Sequence, residues 1–199
     1  MPRRPLSKEF KRALAGLPAR EKNRLLYRLL AQHPDLAKKL EFKLLEEGGA
    51  ILKRRAELRA DIERQGAELF HRFYSPAGLV KEFRGISSQI SAHVKTTRDK
   101  AGQIELTLAM FNAVLPNLVE ELSAPIPNYT TSLGKYIITR TLKLLRLLNT
   151  FDLERRLEFQ EQLMTLGEVI YEVAPLRNQA TDLGLDVNWL LSGQWPAEI

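Results

Sequence analysis

The chain has 199 residues, 44% hydrophobic and 27% charged, with 30 Lys and Arg against 24 Asp and Glu and no Cys. That composition suits a folded chain with enough apolar material for a sizeable core. The missing Cys excludes disulfides, thiolate metal sites, iron–sulfur clusters and a cysteine nucleophile. The net charge of +6 is lopsided, because residues 1–72 hold 18 basic and 10 acidic side chains and the remainder 12 and 14. A one-sided basic surface points to an acidic partner, nucleic acid first.

Almost every segment carries the 3.6-residue period of a helix and none alternates as a strand does. Ser7 caps a short first helix with Leu6, Phe10, Leu14 and Leu17 along one side. Pro18 suits the start of a second helix, whose stripe is Leu25, Leu26, Leu29 and Leu30. His33-Pro34 ends it, since a residue before Pro is driven out of the α region. A third helix follows from Asp35 to Glu47, with Leu36, Leu40, Leu44 and Leu45 inward, and Gly48-Gly49 stops it. The longest basic helix then runs from about Ala50 to Tyr74 on a narrow stripe of Ile51, Leu58, Ile62, Leu69 and Phe73. Ser75-Pro76 opens another helix through Leu79, Val80, Phe83, Ile86, Ile90 and Val94. Thr96 to Gly102 reads as a polar loop.

The second half is more apolar. Gln103 to Leu122 reads as a helix that Pro116 kinks or ends. The stretch Ser123 to Asn128, with two prolines in six residues, is the clearest linker. One of Thr130, Thr131 and Ser132 caps a hydrophobic helix to Asn149. Asp152 caps a last long helix, stopped by Pro175, and a short tail carries Leu183, Leu185, Val187, Trp189, Leu190 and Leu191. The expected core is Leu106, Phe111, Leu118, Ile137, Leu144, Leu148, Leu157, Leu163 and Ile170. The expected fold is all-α, an irregular multi-helix bundle or a short HEAT-like array of seven to nine helices. It forms one domain over 1–199, with a basic layer at 1–74 and an apolar bundle at 75–199.

The constellations that could carry chemistry are sparse. Glu68 and His71 make one E-x-x-H step, whereas di-iron carboxylate bundles need two such steps and two further Glu; no metal site is expected. Glu168 and Glu172 share a helix face, but no nucleophile or oxyanion donor is near them in sequence. Gly48-Gly49 lacks the context of a phosphate-binding loop, and no serine-elbow, kinase or zincin signature occurs. No catalytic residue and no cofactor is therefore expected.

The densest basic cluster is Lys53, Arg54, Arg55 and Arg59. It suits electrostatic contact with a phosphate backbone without sequence reading. The alternative is a solvated helix face balanced by Glu57, Asp61 and Glu63 at salt-bridge spacing. Arg3, Arg4, Lys8, Lys11 and Arg12 form a second cluster, a basic arm. Lys11 and Arg12 also interrupt what would be the apolar region of a signal peptide, and no run of about 18 apolar residues occurs. The expectation is a cytoplasmic protein with no membrane partner.

Three resemblances add to this reading. The tail Leu183–Gly193 resembles the closing segment of phage-repressor-type helix-turn-helix domains, of the form LGVS-x-x-WLL-x-G. The recognition pair that should precede it is absent, and the alternative is that Trp189 and Leu190 fold back as a hydrophobic cap. Leu14 to Leu166 is similar, at Leu25–Leu30, Pro34, Leu40–Leu44, Met110 and Tyr129–Leu148, to a family of small, uncharacterised bacterial all-helical proteins. That resemblance implies a helical fold and no activity. Tyr74 to Val173 resembles, in helix order, the small helical subunits of CRISPR effector complexes, which implies a non-catalytic subunit lining a nucleic-acid groove. The charge asymmetry between residues 1–72 and the remainder, with no catalytic constellation beside it, points to a non-enzymatic binding or assembly subunit whose basic amino-terminal face contacts nucleic acid. The alternatives are a protein–protein interaction scaffold that meets an acidic protein, and an enzyme of unrecognised type.

Overall fold

The computed structural model describes residues 7–45, 49–72, 75–124 and 130–196. Expectations placed on Arg3, Arg4, Leu6, Glu47, Gly48, Phe73, Tyr74, the Leu45 side chain and the linker at 125–128 lie outside what is described. Every regular element among the described residues is helical. The chain falls into two compact units, residues 1–47 and 48–199. The long basic helix, grouped by its charge with residues 1–74, lies in the second.

The first unit holds α1 (Lys8–Gly16), α2 (Ala19–Gln32) and α3 (Pro34–Leu45). Ser7 caps α1 by accepting from the Phe10 amide at 3.2 Å, which satisfies one of the donors that a helix start leaves open. Pro18 and the non-helical backbone at His33 (φ −128°, ψ 77°) set the two turns. Leu14, Leu17, Leu25, Leu30 and Leu40 are half-buried, but no described side chain of this unit is fully buried, and Phe10, Leu26, Leu29, Leu36 and Leu44 are exposed.

The second unit carries the core. It comprises α4 (Gly49–His71), α5 (Pro76–Thr97), α6 (Lys100–Asn112), a 3-10 turn at Leu115–Leu118, α7 (Val119–Ser123), α8 (Thr130–Leu148), α9 (Leu153–Leu157), α10 (Gln160–Glu172), α11 (Ala174–Asp182) and α12 (Val187–Ser192). Helix α6 is apolar around most of its circumference. Ile104, Leu106, Leu108, Met110 and Phe111 are all buried, so it packs against α4, α5, α8 and α10 at once. Phe83 of α5 meets Phe111 edge to face at 5.4 Å and lies near parallel to Tyr136 of α8 at 6.2 Å. The Tyr136 hydroxyl sits 2.7 Å from Ser87 Oγ and donates to the Phe83 carbonyl at 3.1 Å, which keeps its polar end satisfied. On α4, Gly66 lets the helix approach the end of α6. A Cβ there would stand 2.6 Å from the Ala113 Cβ, inside van der Waals contact.

Eight of the nine expected core residues are buried; Leu157 is 55% exposed. The reason is a break the sequence pattern conceals. The helix expected from Asp152 to Pro175 divides into α9 and α10, and a further helix, α11, follows it. The chain turns at Glu158-Phe159, and Phe159 takes the buried position instead. Pro175 ends α10 and also sits in the first turn of α11, where its missing N–H costs nothing. Likewise Ala113 and Pro116 divide the expected 103–122 helix into α6, the 3-10 turn and α7. The tail folds back, as the alternative to a DNA-reading role has it. Leu190 is buried and α12 lies on α10, where a Cβ on Gly167 would come within 2.9 Å of the Leu190 Cβ.

Candidate nucleic-acid interface and a cationic cleft

The expected polar loop at 96–102 is instead a two-residue hinge between helices. Helix α5 runs to Thr97, Arg98 takes the left-handed conformation (φ 59°, ψ 24°), and Asp99 caps α6. Asp99 is buried and faces inward. Its Oδ1 accepts from the Gly102 amide at 2.8 Å and from Arg55 Nη2 at 2.8 Å. Its Oδ2 accepts from Arg55 Nε at 2.8 Å and lies 3.3 Å from His93 Nε2. Arg55 Nη1 reaches on to Glu105 Oε2 at 3.1 Å, and Arg59 holds the other Glu105 oxygen at 3.0 Å and Glu63 at 2.8 Å. Burial alone would push the Asp99 carboxyl up. The Arg55 hydrogen bonds, the Gly102 amide and His93 outweigh it and hold the group below the usual carboxylate range. The same carboxylates, Asp99 before Glu105, overcome the cost of burial at Arg55 and keep its guanidinium protonated more firmly than usual.

This places the four residues of the expected basic site apart in role. Arg55 and Arg59 turn toward internal carboxylates, with side chains 19% and 44% exposed. Lys53 is exposed and Arg54 half-buried on the same helix. The charge also redistributes by unit. Residues 1–47 contain 12 Lys and Arg against 6 Asp and Glu, and residues 48–199 contain 18 of each, so the whole net charge belongs to the first unit.

That unit also carries a basic pattern that local charge density does not single out. Arg20, Arg24 and Arg28 are spaced four apart on α2, on the side away from Leu25, Leu26, Leu29 and Leu30. They form a stripe about 12 Å long at 1.5 Å per residue. All three are exposed and make no ion pair among the described residues. Lys8, Lys11 and Arg12 of α1 are exposed in the same way.

A cleft of about 750 Å³ opens in the second unit between the start of α4, the α5–α6 hinge and the α9–α10 turn. Arg55, Arg59 and Glu105 line it, and Leu52, Phe151 and Phe159 supply apolar wall. Arg98, Lys100 and Arg155 also line it; all three are exposed. The Arg155 guanidinium stands 5.9 Å from the centre of the Phe151 ring, a cation–π distance.

The remaining candidates do not converge. Exposed Glu68 pairs with Arg72 at 3.1 Å, and Glu168 and Glu172 are exposed. Among the described residues no group of three or more His, Asp or Glu is placed to hold a metal ion, and no helix is long and apolar enough to cross a membrane. No protein-family model, no curated protein and no solved structure matches this chain.

Proposed function

We propose that the protein is a non-enzymatic helical binding subunit whose first unit contacts the phosphate backbone of nucleic acid without reading its sequence. The carrying observation is the unpaired stripe Arg20, Arg24 and Arg28 in the unit that holds the whole +6. Three cations in line along one helix repel each other unless an anionic partner lies across them, and a polyphosphate chain is such a partner. In this reading Arg55 and Arg59 support the fold, while Lys53 adds charge at most. The second unit is an irregular helical bundle centred on α6, and the setting is the cytoplasm.

The test is a fluorescence-anisotropy titration with labelled single- and double-stranded oligonucleotides at two salt concentrations. Replacing Arg20, Arg24 and Arg28 together by Ala is expected to weaken binding to every sequence alike. It should also reduce the log–log salt slope by about 2–3, at roughly 0.7–0.9 per phosphate contact. Absence of binding by the wild-type protein at low salt overturns the reading. A second reading, an acidic protein as partner, is favoured by one feature that phosphates do not require. Phe10, Leu26, Leu29 and Leu36 are exposed on α1, α2 and α3 of the same unit, and a protein surface would cover them.

A further inference from the structure

The cleft of the second unit shows a division between inward and outward charge. The acids that face inward are occupied: Asp99 by Arg55, the Gly102 amide and His93, and Glu105 by Arg55 and Arg59. They cannot neutralise the cations beside them in the chain. Arg98, Lys100 and Arg155 make no ion pair among the described residues, and Glu158 is the one further acid that lines the cleft. The outward-facing set therefore holds three cations against one carboxylate.

Two of these cations stand where local structure disfavours them. Arg98 is the non-glycine residue with positive φ among the described residues. It occupies a helix C-cap position where Gly is the usual choice, and an L side chain there costs on the order of 1 kcal/mol or more. Lys100 opens α6, whose first turn carries no acid; a cation at a helix N-terminus opposes the helix dipole. Neither charged head makes a contact within the described residues that would offset this. Departures from local preference are expected at functional or strained sites, and these two converge on one cavity.

We propose that this cleft binds a phosphorylated small molecule with a planar apolar body, of the nucleotide class. Arg98, Lys100 and Arg155 meet the phosphates, and the body lies along Phe151 and Leu52. The volume of about 750 Å³ falls in the range of small-molecule sites, roughly 300–1,000 Å³. The mixed lining divides the ligand into a charged end and an apolar end. The inference goes beyond the nucleic-acid reading and does not depend on it, since it concerns other residues in the other unit.

Isothermal titration calorimetry of the full chain at low salt, with ATP, tripolyphosphate and adenosine as probes, tests it. ATP is expected to saturate one site, and tripolyphosphate and adenosine to bind more weakly, each lacking one half of the ligand. Arg98→Gly and Lys100→Ala are each expected to weaken ATP about tenfold, the scale of one lost charge-assisted hydrogen bond. Arg98→Gly also relieves the left-handed strain. Its melting temperature should be unchanged or higher, which separates lost binding from lost folding. Phe151→Leu is expected to bring ATP down to the affinity of tripolyphosphate. No saturable ATP binding up to about 1 mM, or full affinity in both charge variants, overturns the proposal. Equal binding of ATP and tripolyphosphate overturns the nucleotide class. Oligonucleotide binding that survives in these variants leaves the first unit's role standing whichever way the cleft behaves.

Discussion

Removing the Asp99 charge isolates the interaction that fastens α4 to the start of α6. Asp99→Asn keeps a good N-cap, because Asn accepts from a helix amide as well as Asp does. It also places an amide NH2 group opposite the Arg55 donors in place of one carboxylate oxygen. The two Arg55–Asp99 hydrogen bonds are both 2.8 Å and the carboxylate is buried. Breaking a fully buried pair from one side costs about 3–5 kcal/mol. Here Arg55 keeps Glu105 at 3.1 Å and remains 19% exposed, so the expected loss is about 1.5–2.5 kcal/mol. At roughly 2–4 °C per kcal/mol for a protein of this size, the melting temperature should fall by about 3–10 °C. Asp99→Ala removes the cap as well and should cost a further 0.5–2 kcal/mol or about that. Urea unfolding followed by helical circular dichroism reads both. The sign with pH is fixed. Asp99 has its carboxyl pKa lowered in the folded state, so its contribution is complete above the ordinary carboxylate pKa of about 4. It disappears as pH falls through the lowered value. The gap between wild type and Asp99→Asn should therefore close on acidification below about pH 4. A variant within about 0.5 kcal/mol of wild type at neutral pH, or a gap that widens in acid, refutes the reasoning.

Gly102→Ala should destabilise the same junction. A Cβ there would stand 2.7 Å from the Asp99 Cγ and 2.9 Å from Arg55 Nε, so the cap and the ion pair must both shift, at a cost of about 1–3 kcal/mol by denaturant unfolding. Leu144→Ala should cost about 2–5 kcal/mol, since Leu144 is 4% exposed, whereas Leu157→Ala should change stability by less than about 0.5 kcal/mol in the same assay.

Helical class and most of the core were legible because hydrophobic periodicity records which side of a helix is covered. Leu106, Phe111, Ile137 and Ile170 repeat on the interior faces of long, regular helices and are buried. The Asp152–Asp182 stretch was not legible in the same way. A helix that turns at Phe159 and restarts at Gln160 keeps an apolar residue near every third or fourth place, so the period survives while the direction changes. The 96–102 segment misled for the opposite reason. Seven polar and small residues suggest a loop, yet an Asp ahead of a helical run is also an N-cap, and here the hinge shrinks to Arg98 and Asp99. The candidate site was half legible. The basic residues of α4 were identified, but their partners Asp99 and Glu105 lie 44 and 50 positions further along, beyond any local spacing rule.

That last difference separates a count of charges from a charged surface. On α4, Arg59 finds Glu63 one turn away, Arg64 finds Asp61, and Arg55 finds acids on another helix; the second unit as a whole is neutral. On α2, Glu21 stands three places before Arg24, at a spacing that permits a pair, and none forms among the described residues. An exposed pair of that kind is worth only a few tenths of a kcal/mol, so even if it closed it would hold Arg24 only weakly against an anionic partner. Arg20, Arg24 and Arg28 therefore remain available to a partner, whereas Arg55 does not. For an electrostatic contact the decisive property is a cation with no better use inside the fold, and by that measure the proposed interface belongs on α1 and α2 rather than on α4.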